Sequence, residues 1–343
     1  MILLCACSSE PTTTPDEPAV YDPTPYVFDP MGLPMPALPA DNPLTVQKVK
    51  LGEMLFNEKM LSKDGSQSCA SCHVKADAFS DIRRFSIGVE GLPGKRQAMP
   101  VFNMAWHRNG FFWDGRAPKL RDQSLRPIQD PLEMNETLTN AVAKLQSSKT
   151  YRDQFIRAFN TDTVTSEKMS LAMEAFMLTL VSANAKWDNV LKGTATFTTE
   201  EARGRDLFFR ERQGLNDPVG AECFHCHGGP NFTNDRYINN GLDAEPDFTD
   251  LGRFDVSGYP EDKARFLTPS LRNIALTPPY MHDGRFATLE ECIEHYDSGV
   301  KQSSTVDDAL HFNLRPGGLG LSAQDKADLV AFLKALTDTS FTR

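Results

Sequence analysis

Two stretches decide the reading of this chain: Cys69-Ala70-Ser71-Cys72-His73 and Cys223-Phe224-His225-Cys226-His227. Cys-x-x-Cys-His is the attachment signature of a c-type haem. The two sulfurs form thioethers to the porphyrin, and the histidine binds the iron from one side. One match arises by chance in a long chain, but two matches use four of the seven cysteines. A zinc knuckle or a redox dithiol would employ the same residue types. A zinc site, however, brings two such motifs to one metal. Here about 150 residues separate them, enough for a domain each.

Bulk properties agree with a globular protein of two domains or one large one. The chain has 343 residues, 40% hydrophobic and 24% charged. No stretch approaches the roughly 20 apolar residues that span a bilayer. A net charge of −10 and a pI near 5.3 argue against a nucleic-acid partner, which requires a basic face.

The first residues read as processing rather than fold. Leu4-Cys5-Ala6-Cys7 resembles a bacterial lipoprotein box with Cys7 as the lipidated residue. A polar run, Ser8 to Pro15, then forms a tether with nothing to build a core from. The hydrophobic segment before Cys7 is short and lacks a basic start, as in a truncated signal. Export agrees with c-type haem, which bacteria attach outside the cytoplasm. Cys292 is left over and reads as a buried apolar residue.

An internal repeat indicates duplication. Gly52-Glu53-Met54-Leu55-Phe56 lies seventeen residues before Cys69, and Gly204-Arg205-Asp206-Leu207-Phe208 lies nineteen before Cys223. Both read as helices, the second opened by a Thr198/Glu201 capping box. Between the motifs, Met169, Ala172, Met173, Phe176, Met177 and Leu180 recur at helical spacing and read as core. Trp187-Asp188-Asn189 followed by Gly193 is expected to end that helix and the first domain. Ser322 caps a last helix carrying Leu329, Val330, Phe332, Leu333 and Leu336. Runs such as Gly88 to Pro100 and Gly228 to Pro230 read as loops around the haems. The expected fold is mainly α with few strands. It has a tether over 1–27, a cytochrome c-like domain over 28–192 and another over 193–343, each with one covalent haem.

Further runs carry a resemblance. Phe112-Trp113-Asp114-Gly115-Arg116, then Gln123, Pro127 and Glu133-Met134, resemble the bacterial dihaem cytochrome c peroxidase and MauG family. So does the run from Pro269 to Gly284, which includes Pro279-Tyr280-Met281-His282. In that family the N-terminal haem does peroxide chemistry and the C-terminal haem passes electrons. The resemblance implies His73 as proximal ligand of the active haem and His227 of the electron-transfer haem. It puts Glu133 at the distal acid/base, Gln123 and Pro127 at the pocket wall, and Trp113 between the haems. One carboxyl group can take a proton from peroxide and return it as the O–O bond breaks. Apolar neighbours Leu132 and Met134 would raise the pKa of Glu133.

Two departures bear on mechanism. Many of these peroxidases close the resting N-terminal haem with a histidine about sixteen residues after the proximal one. Here that position is Val89, and no histidine lies between His73 and His107. Met99 is near, with nothing in its spacing to recommend it, and His107 reads as structural. An open N-terminal iron follows, without reductive activation. The usual peroxidases also place a methionine fourteen residues after the histidine of the Pro-Tyr-x-His run. Here it is Tyr296, as in MauG-type proteins, with Met281 and His295 as rivals. A phenolate ligand favours oxidised iron. Thr277, Pro279 and Gln97 match the region of the family's calcium site, with Gln97 in place of the usual asparagine.

The leading expectation is a periplasmic peroxidase of a Gram-negative bacterium, reducing hydrogen peroxide with electrons from a small cytochrome c or copper protein. The alternative is a MauG-like oxidase that modifies a partner protein. The known member of that type has a surface tryptophan two residues before the second haem motif, where this chain has Ala221. A non-enzymatic electron carrier is third, since an open site with Glu133 and Gln123 would be superfluous in it. The peroxidase resemblance also implies a homodimer.

Overall fold

In the computed structural model, residues 18–212, 214 and 219–342 are described; Cys5 and Cys7 lie outside them. The first half contains α1 (Val46–Phe56), α2 (Leu120–Ser124), α3 (Arg126–Gln129), α4 (Leu138–Ser147), α5 (Lys149–Phe159), α6 (Ser166–Leu178) and α7 (Lys186–Leu191). The second contains α8 (Thr199–Phe209), α9 (Phe224–His227), α10 (Phe254–Ser257), α11 (Leu289–Glu294) and α12 (Ala323–Lys334). Two-residue strands β1 (Tyr237–Ile238) and β2 (Phe266–Leu267) pair antiparallel, Tyr237 opposite Leu267. The fold is thus mainly helical with little strand, as the sequence indicates.

Each half packs one long helix pair. In the first, α1 crosses α6, and Gly52 makes this possible: a Cβ there would lie 2.0 Å from the Ala172 carbonyl oxygen. In the second, α8 crosses α12, and a Cβ on Gly204 would lie 1.9 Å from the Asp328 carbonyl oxygen. The repeated glycines therefore set helix contact, where no side chain fits. Around the first pair Leu51, Leu55, Phe155, Met169 and Met173 are buried, with Met177 beside them. Around the second, Phe208, Phe232, Leu329, Phe332 and Leu336 are buried. Full burial of each such side chain contributes roughly 1.5–3 kcal/mol. Thr198 and Glu201 form the expected capping box, and Ser322 forms another with Asp325.

One boundary differs from expectation. The helix carrying the methionines ends at Leu178, and Trp187-Asp188-Asn189 belongs to a separate short helix, α7. Asn103 is the cause. Its N–H donates to the Leu180 carbonyl, its Oδ1 accepts from Ser182 N, and its Nδ2 donates to the Ser182 carbonyl. This clamp holds 180–184 out of the helix and leads the chain into α7, the last helix of the first half, where Asp188 caps Ala185.

Asn273 does the equivalent work after α12. Its N–H donates to the Leu336 carbonyl and its Oδ1 accepts from Asp338 N. Both asparagines sit at left-handed φ, 53° and 58°, a conformation asparagine tolerates. Ion pairs join the halves: Arg96, which also pairs with Asp114 in its own half, binds Asp250, and buried Arg272 binds Asp188 through two 2.9 Å bonds.

Candidate haem and peroxide site

Cys69, Cys72 and His73 line a cavity of about 870 Å³. Glu133, Gln123, Pro127, Trp113 and Gln97 line the same cavity, as do Met99 and His107. Residues spread along 69–133 thus converge on one cavity. The volume lies within the range of cofactor clefts, about 300–1,000 Å³, and Phe56, Met173 and Met177 supply apolar wall. The methionines of α6 are therefore both core and cavity lining.

The donor set fits a haem. His73 Nδ1 lies 3.0 Å from the Phe79 carbonyl, which can only accept, so Nδ1 carries the proton and Nε2 is left to bind iron. His227 Nδ1 makes the same contact with the Phe232 carbonyl at 3.3 Å. Burial lowers the pKa of both imidazoles, that of His227 to about 4, keeping the neutral, ligating form. Burial pushes the Cys69 and Cys223 thiols up to about 12. A redox dithiol requires the opposite shift. No cluster of three or more His, Cys, Asp or Glu residues suits a metal ion among the described residues.

Glu133 has the character of a proton carrier. Burial first, then the Asp130 carboxylate, pushes its pKa up to about 7 against the pull of Arg116. It therefore exchanges a proton near neutrality. Its backbone is fixed by the loop after the first motif, where Val89 N–H donates to the Glu133 carbonyl at 2.8 Å. Val89 thus contributes its backbone at the position where a closing histidine was sought. Arg116, whose guanidinium stacks 3.7 Å from the Phe112 ring centroid and bonds Asp114, also lines the cavity. Sequence reading quoted the Arg116 motif without giving the residue a part.

Trp113 is buried, and its Nε1–H donates to the Gln97 carbonyl at 2.8 Å. Gln97 N–H in turn donates to the His282 carbonyl at 2.8 Å, and the Trp113 carbonyl accepts from Leu267. Trp113 therefore sits at the junction of the halves. Gln97 Nε2 is committed to the Asp81 carbonyl, and Thr277 Oγ1 to that of Ile274. Pro279 follows a cis peptide bond. His107 Nδ1 pairs with Asp235 at 3.0 Å, which accounts for its structural part.

Around the second motif, Tyr296 is half-buried; burial first, with smaller contributions from Cys226, Cys292 and Cys223, raises the pKa of its phenol against the pull of Asn240. Asn240 Nδ2 donates to Tyr296 Oη at 3.2 Å and lies 3.3 Å from Met281 Sδ. His295 Nε2 lies 3.1 Å from the Asn240 carbonyl, so of its two nitrogens only Nδ1 stays available as a ligand atom. Tyr296 lies in a π-helical turn, His295–Gly299, a distortion frequent at functional sites. Cys292 is half-buried against the second core.

A second repeat went unread in the sequence. Trp113-Asp114-Gly115-Arg116 corresponds to His282-Asp283-Gly284-Arg285. Both runs are closed by isolated bridges, Phe111 to Ala117 and Tyr280 to Phe286, and both lead into a helix, at Leu120 and Leu289. In this register Tyr296 of the second half corresponds to Pro127 of the first. The signal was the shared Asp-Gly-Arg spacing.

Comparison with known proteins agrees. The family model described as di-haem cytochrome c peroxidase matches residues 46–196. The methylamine utilization protein MauG of Methylophilus methylotrophus is 34% identical over 304 residues, 87% of this chain and 84% of that protein. Cytochrome c551 peroxidase of Nitrosomonas europaea is 35% identical over 263 residues, 76% of each chain. The crystal structure of a MauG-like protein associated with microbial copper homeostasis superposes with a TM-score of 0.79 at 36% identity, covering 91% of this chain and 95% of that one. With its two haem motifs, its helical fold and these relatives, the chain belongs to the di-haem cytochrome c peroxidase and MauG family of oxidoreductases that act on peroxide.

Proposed function

We propose that the chain reduces hydrogen peroxide at an open haem held by Cys69, Cys72 and His73. Electrons pass through a second haem held by Cys223, Cys226 and His227. The observation that carries this reading is the asymmetry of the two units: where the second has Tyr296, the first has Pro127, whose side chain offers no ligand atom. Pro127 would leave a haem at the first motif without a second protein ligand, beside Glu133, whereas Tyr296 could supply one at the second.

A haem held by these residues would supply the redox chemistry at which peroxide is reduced. The protein moves the protons. Glu133, ionised in part at neutral pH, takes the proton from the near oxygen and delivers it to the far oxygen as that leaves as water. Gln123 lines the same cavity and can donate its amide to the substrate. Two electrons and two protons then balance one peroxide against two waters. Trp113, bonded through Gln97 toward His282, lies on the route between the units.

The deciding experiment adds peroxide to the fully oxidised protein. An immediate optical change in the first haem supports the open site, and a requirement for prior half-reduction overturns it. A MauG-like oxidase acting on a partner protein is the second reading, favoured by Tyr296, Val89 and the MauG relatives. Steady turnover with a reduced cytochrome c or copper protein separates peroxidase from this oxidase. We further assign the domains as 28–192 and 193–343, a calcium ion near Gln97, Thr277 and Pro279, periplasmic placement with a lipid on Cys7, and a homodimer.

A further inference from the structure

The segments that follow the two long C-terminal helices of the repeat cross over. After α6, in the first half, Trp187 enters the second core. Its ring lies 5.2 Å from that of Phe232 in an edge contact and 5.7 Å from Phe332. Its N–H donates to the Ala335 carbonyl at the end of α12. After α12, in the second half, Phe341 enters the first core. Its ring lies 5.4 Å from that of Phe79 and 5.7 Å from Phe102. Buried Asp338 anchors that crossing, accepting from Ser182 Oγ, Asn184 N and Phe341 N.

The two rings reached in this way are not ordinary core residues. Phe79 and Phe232 are the residues whose carbonyls hold Nδ1 of His73 and His227. Both have left-handed φ, 55° and 51°, a strained state for a bulky residue that persists only when neighbours hold it. Phe79 O also accepts from Val101 N, so its peptide orientation is set by several contacts. In each half the ring contact from the other half and the carbonyl bond to the histidine thus fall on one and the same residue.

We propose that Trp187 and Phe341 are crossed positioning residues. Each is supplied by one half and fixes, through the Phe232 or Phe79 peptide, the haem-ligand histidine of the other half. The imidazole that would hold each haem is thereby set by the opposite unit, and the two haem sites would be mechanically linked through Phe79 and Phe232. This rests on haem attachment at both motifs and not on which iron meets peroxide.

The test records electron paramagnetic resonance and optical spectra of the haem-loaded Phe341→Ala and Trp187→Ala proteins. The two haem signals are assigned with the single-motif variants Cys69→Ala/Cys72→Ala and Cys223→Ala/Cys226→Ala. Phe341→Ala should shift the signal of the haem on His73 and leave the other in place, and Trp187→Ala should do the converse. The ring-retaining Phe341→Tyr and Trp187→Phe should restore the native signals. Phe341→Leu and Trp187→Leu replace the alanine variants if those do not accumulate. A shift confined to the haem of each residue's own half, equal shifts at both haems, or no shift overturns the proposal.

Discussion

Glu133→Gln is the most informative perturbation, because one substitution is expected to move stability and chemistry in opposite directions. Burial and Asp130 lift the carboxyl from 4.5 to about 7, which disfavours the ionised form by about 3 kcal/mol. A bound haem displaces further water and acts in the same direction. The linkage sign follows from the raised value. The contribution to stability is fully present below the unfolded pKa and is lost as pH rises through about 7. Glutamine is neutral throughout, so the variant should match the native protein near pH 4 and exceed it by up to about 3 kcal/mol at pH 8 or above. Denaturant unfolding of the haem-loaded protein across this range measures the difference. The reaction with peroxide should show the reverse ranking. Loss of a positioned acid–base group costs about 10²–10⁴-fold, and the native rate should fall about tenfold per pH unit below 7 as the proton-accepting carboxylate disappears. Stopped-flow mixing of oxidised protein with peroxide reads this rate. The reasoning fails if the variant retains the native rate within about threefold, or if its pH profile keeps the native break.

Other outcomes follow from single contacts. Tyr296→Phe removes the phenol oxygen beside the second haem motif while keeping the ring, and should change that haem's optical and resonance spectra; an unaltered spectrum excludes Tyr296 as ligand. Trp113→Phe deletes the Nε1–H bond to the Gln97 carbonyl and should slow steady turnover with an electron donor more than it slows the first reaction with peroxide, measured by comparing the two rates. Asp188→Ala strands Arg272, which is 2% exposed and paired through two bonds. It should cost about 3–5 kcal/mol in denaturant unfolding, with Arg272→Met partly restoring the double variant. Gly204→Ala drives a Cβ against the Asp328 carbonyl oxygen and should destabilise by more than 1 kcal/mol, since backbone on both sides must part.

The chain's chemistry and helices were legible in its residues because their signals are local. The Cys-x-x-Cys-His spacing is a property of five residues, capping by Thr198 and Ser322 of four, and the α6 periodicity of a dozen. Glu133 was reachable through the motif around it, and its lifted pKa agrees with apolar Leu132 and Met134 as neighbours. The missed helix end at Leu178 was set by Asn103, some seventy residues earlier, and no window around Trp187 contains that clamp. Arg116 was quoted but unplaced, because its effect on Glu133 arises only where the two meet in the cavity.

The sequence by itself determined that the chain carries two haem-attachment motifs and that Pro127 and Tyr296 differ at corresponding positions after them. Thioether chemistry, helix periodicity and the Pro127/Tyr296 register are all written along the chain, although the last was read only once matching bridges showed which residues correspond. Tertiary structure decided how the units depend on each other. The crossing of Trp187 and Phe341, and the Arg96–Asp250 and Arg272–Asp188 ion pairs, join residues more than forty positions apart. Such contacts follow from packing two cores together, which local propensity does not encode.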